Sequence, residues 1–212
     1  MIISKQKPLT DILNAIGDGP VFIIGCSECA TLCQTGGETE VLALKKMLEN
    51  KNILVTGWIV LDPACHLNNS KRLLKSHKQE IEKACKLLVL ACGNGVQTVA
   101  DLYEKKTIIS GTDTLFLGQI KRTTSYEKKC TMCGECLLDL FAGTCPISLC
   151  PKSMLNGPCG GAKNGKCEID TELPCIWDII YQRLKEKDNL EIFQIIQQPK
   201  DWSKSHEMRR SF

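Results

Sequence analysis

Fourteen cysteines in 212 residues constrain this chain more than any other feature. Eight of them, Cys130, Cys133, Cys136, Cys145, Cys150, Cys159, Cys167 and Cys175, fall in one stretch dense in glycine and proline and poor in apolar periodicity. Such a stretch buries too little surface to hold itself together, so a metal staple is expected there. Between Met1 and Gly19 there is no apolar run long enough for a signal-peptide core, and no run of about 18 apolar residues spans the chain anywhere. A cytoplasmic protein with no membrane span is the expectation. In that compartment thiols stay reduced, which favours metal or catalytic thiolates over disulfides.

Cys130, Cys133 and Cys136 form a C-x2-C-x2-C triplet. Three thiolates on one turn-rich loop can grip three corners of a cubane cluster, the fourth coming from a distant cysteine, often one before proline. Both Cys145-Pro146 and Cys150-Pro151 have that form. Zinc is the competing reading, but zinc motifs usually come as separated pairs and not as a triplet. Eight cysteines make two full sets of four, so two [4Fe-4S] clusters are expected. The spacing leaves open which cysteine belongs to which cluster.

Ahead of this segment the grammar is different. Short apolar runs at Val21 to Ile24, Ile53 to Leu61, Leu87 to Ala91 and Thr107 to Ile109, with Leu115 to Leu117 beyond, alternate with amphipathic stretches. That alternation predicts an α/β domain over residues 1–121 with a mainly parallel sheet. Helices are expected over Glu38 to Asn50, with Thr35 and Glu38 as a capping box, over Ser70 to Lys86, and around Val96, Val99 and Tyr103. A small cysteine-rich iron-sulfur domain with little regular structure follows over 122–188, where only Ile176 to Leu184 reads as a helix. The tail, 189–212, offers Ile192, Phe193 and Ile196 as a packing or docking segment. A balance of 43% hydrophobic and 24% charged residues suits a soluble globular chain, and a formal charge of +3 spread along it implies no nucleic-acid face.

Cys26, Cys65 and Cys92 each follow an expected strand. The carboxyl ends of parallel strands share one edge of the sheet, so these thiols are expected to converge there, joined by Cys29 and Cys33 if their loop is helical. The expected metal set is Cys26, Cys29, Cys33, Cys65 and Cys92, holding zinc or a further iron-sulfur cluster, with packing of small buried thiols as the bland alternative. His66 beside Cys65 is a weaker zinc candidate. His77 and Cys85 sit on an apolar stripe and read as packing residues. Gly36-Gly37 and Gly93-Asn94-Gly95 each precede a helix and could cradle a phosphate, but tight turns explain them equally. No Ser-His-Asp or paired-carboxylate arrangement stands out.

The string Cys130-Thr-Met-Cys-Gly-Glu-Cys, Cys145-Pro, Cys150-Pro-Lys, Leu155-Asn-Gly-Pro-Cys-Gly-Gly, Gly165-Lys-Cys-Glu, Cys175-x-Trp and Tyr181-x-Arg-Leu resembles the methylenetetrahydrofolate reductase C-terminal-like family. Residues 26 to 38 also look like the start of its free-standing, MetV-type small iron-sulfur subunit. What the resemblance implies is a partner of a larger, flavin-bearing barrel subunit (FMN or FAD) that reduces methylene- to methyltetrahydrofolate in one-carbon metabolism, the Wood-Ljungdahl pathway included. A donor such as ferredoxin would feed electrons through the clusters to that flavin. The chain would then be a non-catalytic subunit of an oxidoreductase. A structural or regulatory metal-binding subunit carrying no electrons is the alternative. A corrinoid methyl-transfer accessory would need a D-x-H-x-x-G loop, which is not evident here.

Overall fold

The central strand of the first unit, β2 (Val21–Cys26), has every residue buried, which only a strand covered on both faces can sustain. In the computed structural model, which describes residues 1–205, the chain divides into two units. One comprises residues 1–116 and 120–126, the other 117–119 and 127–212. The elements that precede β2 are β1 (Ile2–Gln6) and helix α1 (Leu9–Ile16). After β2 come α2 (Cys29–Leu32), α3 (Glu38–Glu49), β3 (Val55–Leu61), α4 (Leu67–Lys75), α5 (Lys78–Lys83), β4 (Lys86–Val89), α6 (Gly93–Leu102) and β5 (Thr107–Ser110).

Four of these strands make the expected parallel sheet, in the order β3-β2-β4-β5. Register pairs Cys26 with Leu61 and Ile24 with Val89, so the strand ends are nearly level. Side chains alternate between faces with the strand period of two. Phe22 and Ile24 join Leu74, Ile81, Leu87, Val89 and Val99 on one face, under α4, α5 and α6. Val21 and Ile23 join Ile12, Ile16, Val41, Leu44 and Leu88 on the other, under α1 and α3. The chain leaves β2 toward β3 and then crosses back for β4. A topological switch point, the usual ligand position of open α/β sheets, therefore lies at the carboxyl ends of β2 and β4.

Several local expectations are corrected. The helix expected from Ser70 to Lys86 breaks at Ser76–His77, where the Ser76 hydroxyl donates to the Leu73 carbonyl (2.7 Å), a local bond that competes with helix continuation. Lys86 already belongs to β4, and Cys85 before it is exposed and not packed. His77 is half-buried with its ring against Phe22, centroids 5.8 Å apart. Thr35 does not cap α3. Its hydroxyl meets Ser4 and Ala30 (2.9 and 3.2 Å), and the first-turn carboxylate is Glu40, which accepts from the Gly37 N–H at 2.9 Å.

A second, three-stranded sheet in the order β1-β6-β7 was not foreseen. It is built from β1, β6 (Thr112–Arg122) and β7 (Ser125–Cys130), the last two joined by a two-residue antiparallel turn.

The second unit holds helix α7 (Pro146–Leu149), the expected helix as α8 (Ile176–Glu186), and two single 3-10 turns at Leu190–Gln194 and Trp202–Ser205. It has a small apolar core of its own. Phe141, Trp177, Ile180 and Leu184 are buried together, with the Phe141 and Trp177 rings edge-on at 5.5 Å. Trp177 donates its indole N–H to the Met154 carbonyl (3.2 Å), and Arg183 donates to the Thr144 hydroxyl (2.7 Å). Of the tail residues offered for docking, Ile192 packs on this core and Phe193 lies beside Trp177 and Tyr181 (6.2 Å each), while Ile196 is 78% exposed. Residues 206–212 of the expected tail lie outside the described residues.

Truncating Phe22, fully buried at the sheet centre, to alanine should cost about 3–5 kcal/mol in chemical unfolding of the first unit followed by far-UV circular dichroism. A loss below about 1 kcal/mol would mean that Phe22 is not at the centre of this core.

Candidate metal centres

At the switch point, Cys26 ends β2, nearly buried, and Thr31 returns its hydroxyl to the Cys26 carbonyl (2.8 Å) to close the following turn. Cys29 opens α2 and Cys33 closes it, its N–H donating to the Cys29 carbonyl at 3.0 Å. Across the sheet edge, Ser27 donates to Asp62 (2.7 Å), which ties the β2 loop to the loop carrying Cys65. Cys92 is buried at the N-cap of α6. Gly36 makes this edge possible, because a Cβ there would lie 1.9 Å from the Leu90 carbonyl oxygen.

The Cys65 thiol is pushed above its ordinary pKa, first by burial and then by the nearby Cys92, Cys26 and Cys29 thiols. Cys92, Cys26 and Cys29 thus lie near enough to act on the Cys65 thiol electrostatically, without closing into a group that could hold a metal ion. Cys33 faces elsewhere, with its sulfur 3.7 Å from the Ile2 carbonyl and its own carbonyl accepting from the Tyr126 hydroxyl at 3.3 Å.

His66 serves as a helix cap, its Nδ1 accepting the Asn69 N–H at 3.2 Å. The two glycine turns are also satisfied internally. The Gly37 N–H is bound by Glu40 and the Gly93 N–H by the Thr114 hydroxyl (2.7 Å).

The second unit sorts its eight cysteines in a way the spacing alone left open. One cavity is lined by Cys130, Cys133, Cys136 and Cys145, together with Thr131, Glu135, Ile147 and Lys200. Another is lined by Cys150, Cys159, Cys167 and Cys175, with Lys152, Glu168 and Trp177. The divide falls at α7, whose two flanking residues, Cys145 and Cys150, face different cavities.

Backbone N–H groups are already turned to sulfur around the first cavity. Met132, held at φ 54°, donates to Cys130 Sγ (3.2 Å), and Ser148 donates its N–H to Cys145 Sγ (3.4 Å). The Thr131 hydroxyl, on a residue that lines the same cavity, is buried without a hydrogen-bond partner. Around the second cavity, Cys159 Sγ lies 3.1 Å from a Glu168 oxygen and Lys152 pairs with the same carboxylate. Lys152 and then Cys159 hold the Glu168 carboxyl below its usual range, and Glu168 raises Lys152 in turn, helped by the negative charge of Cys159 and Cys167.

Among the described residues no group of three or more His, Cys, Asp and Glu side chains is drawn together around a single metal ion. Four thiols line each cavity, and at the first of them two backbone N–H groups donate to sulfur, a lining whose residue types fit a thiolate-held group.

Comparison with known proteins places a family likeness on this part of the chain. Residues 109–203 match the family model described as methylene-tetrahydrofolate reductase C terminal, a span that contains all eight of these cysteines. No curated protein and no solved structure matches the chain. No helix among the described residues is long and apolar enough to cross a membrane.

Replacing His66 by alanine should leave metal content unchanged and cost about 1 kcal/mol of stability, the usual worth of a lost helix cap. Loss of a metal equivalent on that substitution would make His66 a ligand.

Proposed function

We propose that this chain is an iron-sulfur electron-transfer subunit that passes electrons to the flavin of a partner methylenetetrahydrofolate reductase. The observation that carries the reading is the sorting of eight cysteines into two cavities of four, within the segment similar to a methylene-tetrahydrofolate reductase C-terminal domain. In it, Cys130, Cys133, Cys136 and Cys145 hold one [4Fe-4S] cluster, and Cys150, Cys159, Cys167 and Cys175 hold the other. Clusters of this kind supply one-electron storage at low potential.

The chain's own groups do the rest. Thiolates fix each site, and the Met132 and Ser148 N–H groups spread the charge on Cys130 and Cys145, which favours an added electron. A donor of the ferredoxin class would supply electrons singly, and a flavin in the partner, FMN or FAD, would supply the chemistry that joins two electrons and a proton as hydride for the methylene carbon. In the first unit, Cys26, Cys29, Cys65 and Cys92 hold a further metal, zinc or a third cluster, at the switch point, with Cys33 outside the set.

Full-length chain prepared anaerobically should contain about eight irons in its second unit, plus whatever the switch-point site holds. Stoichiometric zinc without iron would refute the reading. Serine at Cys26, Cys65 and Cys92 together should remove one metal equivalent or one cluster and leave the other iron in place; unchanged metal content would remove the switch-point site. The functional test is turnover of the flavoprotein partner with a low-potential donor, with and without the cluster-loaded chain. Electron delivery predicts a rate that depends on the chain. Equal rates would leave a structural staple in its stead.

A further inference from the structure

Two lysines line the cavity of Cys130, Cys133, Cys136 and Cys145: Lys129, next to Cys130, is 43% exposed and pairs with Glu127 at 3.1 Å, whereas Lys200 is enclosed. Lys200 comes from the tail, far along the sequence, and its side chain is only 4% exposed. Its ammonium donates to the Glu135 carbonyl and lies 3.6 Å from the Glu135 carboxylate, inside the C-x2-C-x2-C loop itself. The tail is held there by further contacts. Lys204 pairs with Glu135 at 2.7 Å, and Gln197 and Asn156 exchange bonds of 2.7 and 3.0 Å. Gly134 lets it pass, since a Cβ at that position, already at φ 78°, would lie 2.7 Å from the Lys204 carbonyl oxygen.

Long lysine side chains are almost never buried without a charge to meet. Glu135 is one such charge, but it is shared with Lys204 and its side chain remains 40% exposed. The other negative charge within this cavity would be that of the thiolates. The second cavity differs, because its lysine, Lys152, is 40% exposed and directly neutralised by Glu168.

We propose that Lys200 is the charge partner of the group held by the first four cysteines, raising the reduction potential of that site above that of the second and so making it the acceptor end of the electron path. The inference rests on the cluster reading given under Proposed function. Its physical basis is simple. Taking up one electron from a low-potential one-electron donor adds one negative charge to the site with no bond made or broken, and a buried cation in the wall favours the more negative state. Lys200 acts through charge and position; it is not a ligand. Among the described residues nothing comparable lines the second site, where Lys152 is paired with Glu168.

The experiment is an EPR-monitored redox titration of full-length, cluster-loaded chain carrying Lys200→Met, Lys200→Gln or Lys200→Arg, with iron counted in each. Wild-type chain should show two distinguishable midpoints. The neutral variants should keep about eight irons in the second unit and lower the higher midpoint by at least a tenfold change in its reduction equilibrium, about 59 mV for one electron, with the lower midpoint unmoved. Lys200→Arg should restore the wild-type value. Lys200→Gln keeps a donor for the Glu135 carbonyl, so it decides the matter if Lys200→Met loses iron. Retention of iron only with lysine or arginine at this position would make Lys200 a determinant of assembly and overturn the claim that it sets the potential. Unchanged midpoints in the neutral variants, an equal shift in Lys200→Arg, or loss of iron from all three variants would overturn the proposal. A wild-type chain that binds no iron would instead overturn the reading on which it rests.

Discussion

Four cysteine thiols around each of two cavities must be held in place by a unit whose apolar core is small, Phe141, Trp177, Ile180 and Leu184 with Cys175 and a ring of partly buried residues such as Leu137, Met154 and Ile192. Those side chains bury an area that orients α8 and the loops packed on it, while Cys130 ends β7, Cys145 and Cys150 flank α7, Cys175 caps α8, and Cys133, Cys136, Cys159 and Cys167 lie outside any helix or strand. Left-handed residues at Met132, Ala142, Ser153 and Asn164 mark how tightly that backbone bends. Non-glycine residues adopt such angles at some cost, and something else in the structure has to compensate for it. On the proposed cluster reading, thiolate ligation would do so, because in small metal-held domains the free energy of binding is also free energy of folding.

The first unit solves the opposite problem. Its sheet is covered on both faces by apolar side chains, and the strand ends of such a sheet are the usual place for chemistry. Level register across β2, β3 and β4 is what brings thiols separated by dozens of residues to one edge. Cys33 shows the limit of that argument. A single helical turn separates Cys29 from Cys33 and leaves the Cys33 thiol against the Ile2 carbonyl of β1, so closeness in sequence to Cys26 and Cys29 does not bring Cys33 to the same place.

Much of this was legible in the sequence, for identifiable reasons. Apolar runs such as Val21 to Ile24 give the parallel sheet because burial on two faces leaves no polar position within them. The β1-β6-β7 sheet was hidden because its strands are half polar; within Thr112–Arg122 only Leu115 to Leu117 stand out as an apolar run. The break at Ser76–His77 was hidden because Leu74, His77 and Ile81 keep helical spacing straight through it. Partition of the cysteines was beyond reach for another reason. Cys145 and Cys150 both precede proline, and only the turn of α7 between them sends one to each cavity. Lys200 carried no signal at all, since a lysine in a polar tail reads as a solvated charge until the tail is seen to fold back.

The partition at α7 is the point on which the account stands or falls, and paired substitutions can read it directly. Iron and sulfide would be counted in anaerobically prepared full-length chain carrying either Cys136→Ala with Cys145→Ala, or Cys145→Ala with Cys150→Ala. Two ligands drawn from one cavity should cost about four irons and leave the other cluster's EPR signal intact, whereas one ligand from each cavity should compromise both clusters. Loss of both clusters from the first pair, with only one lost from the second, would contradict the assignment.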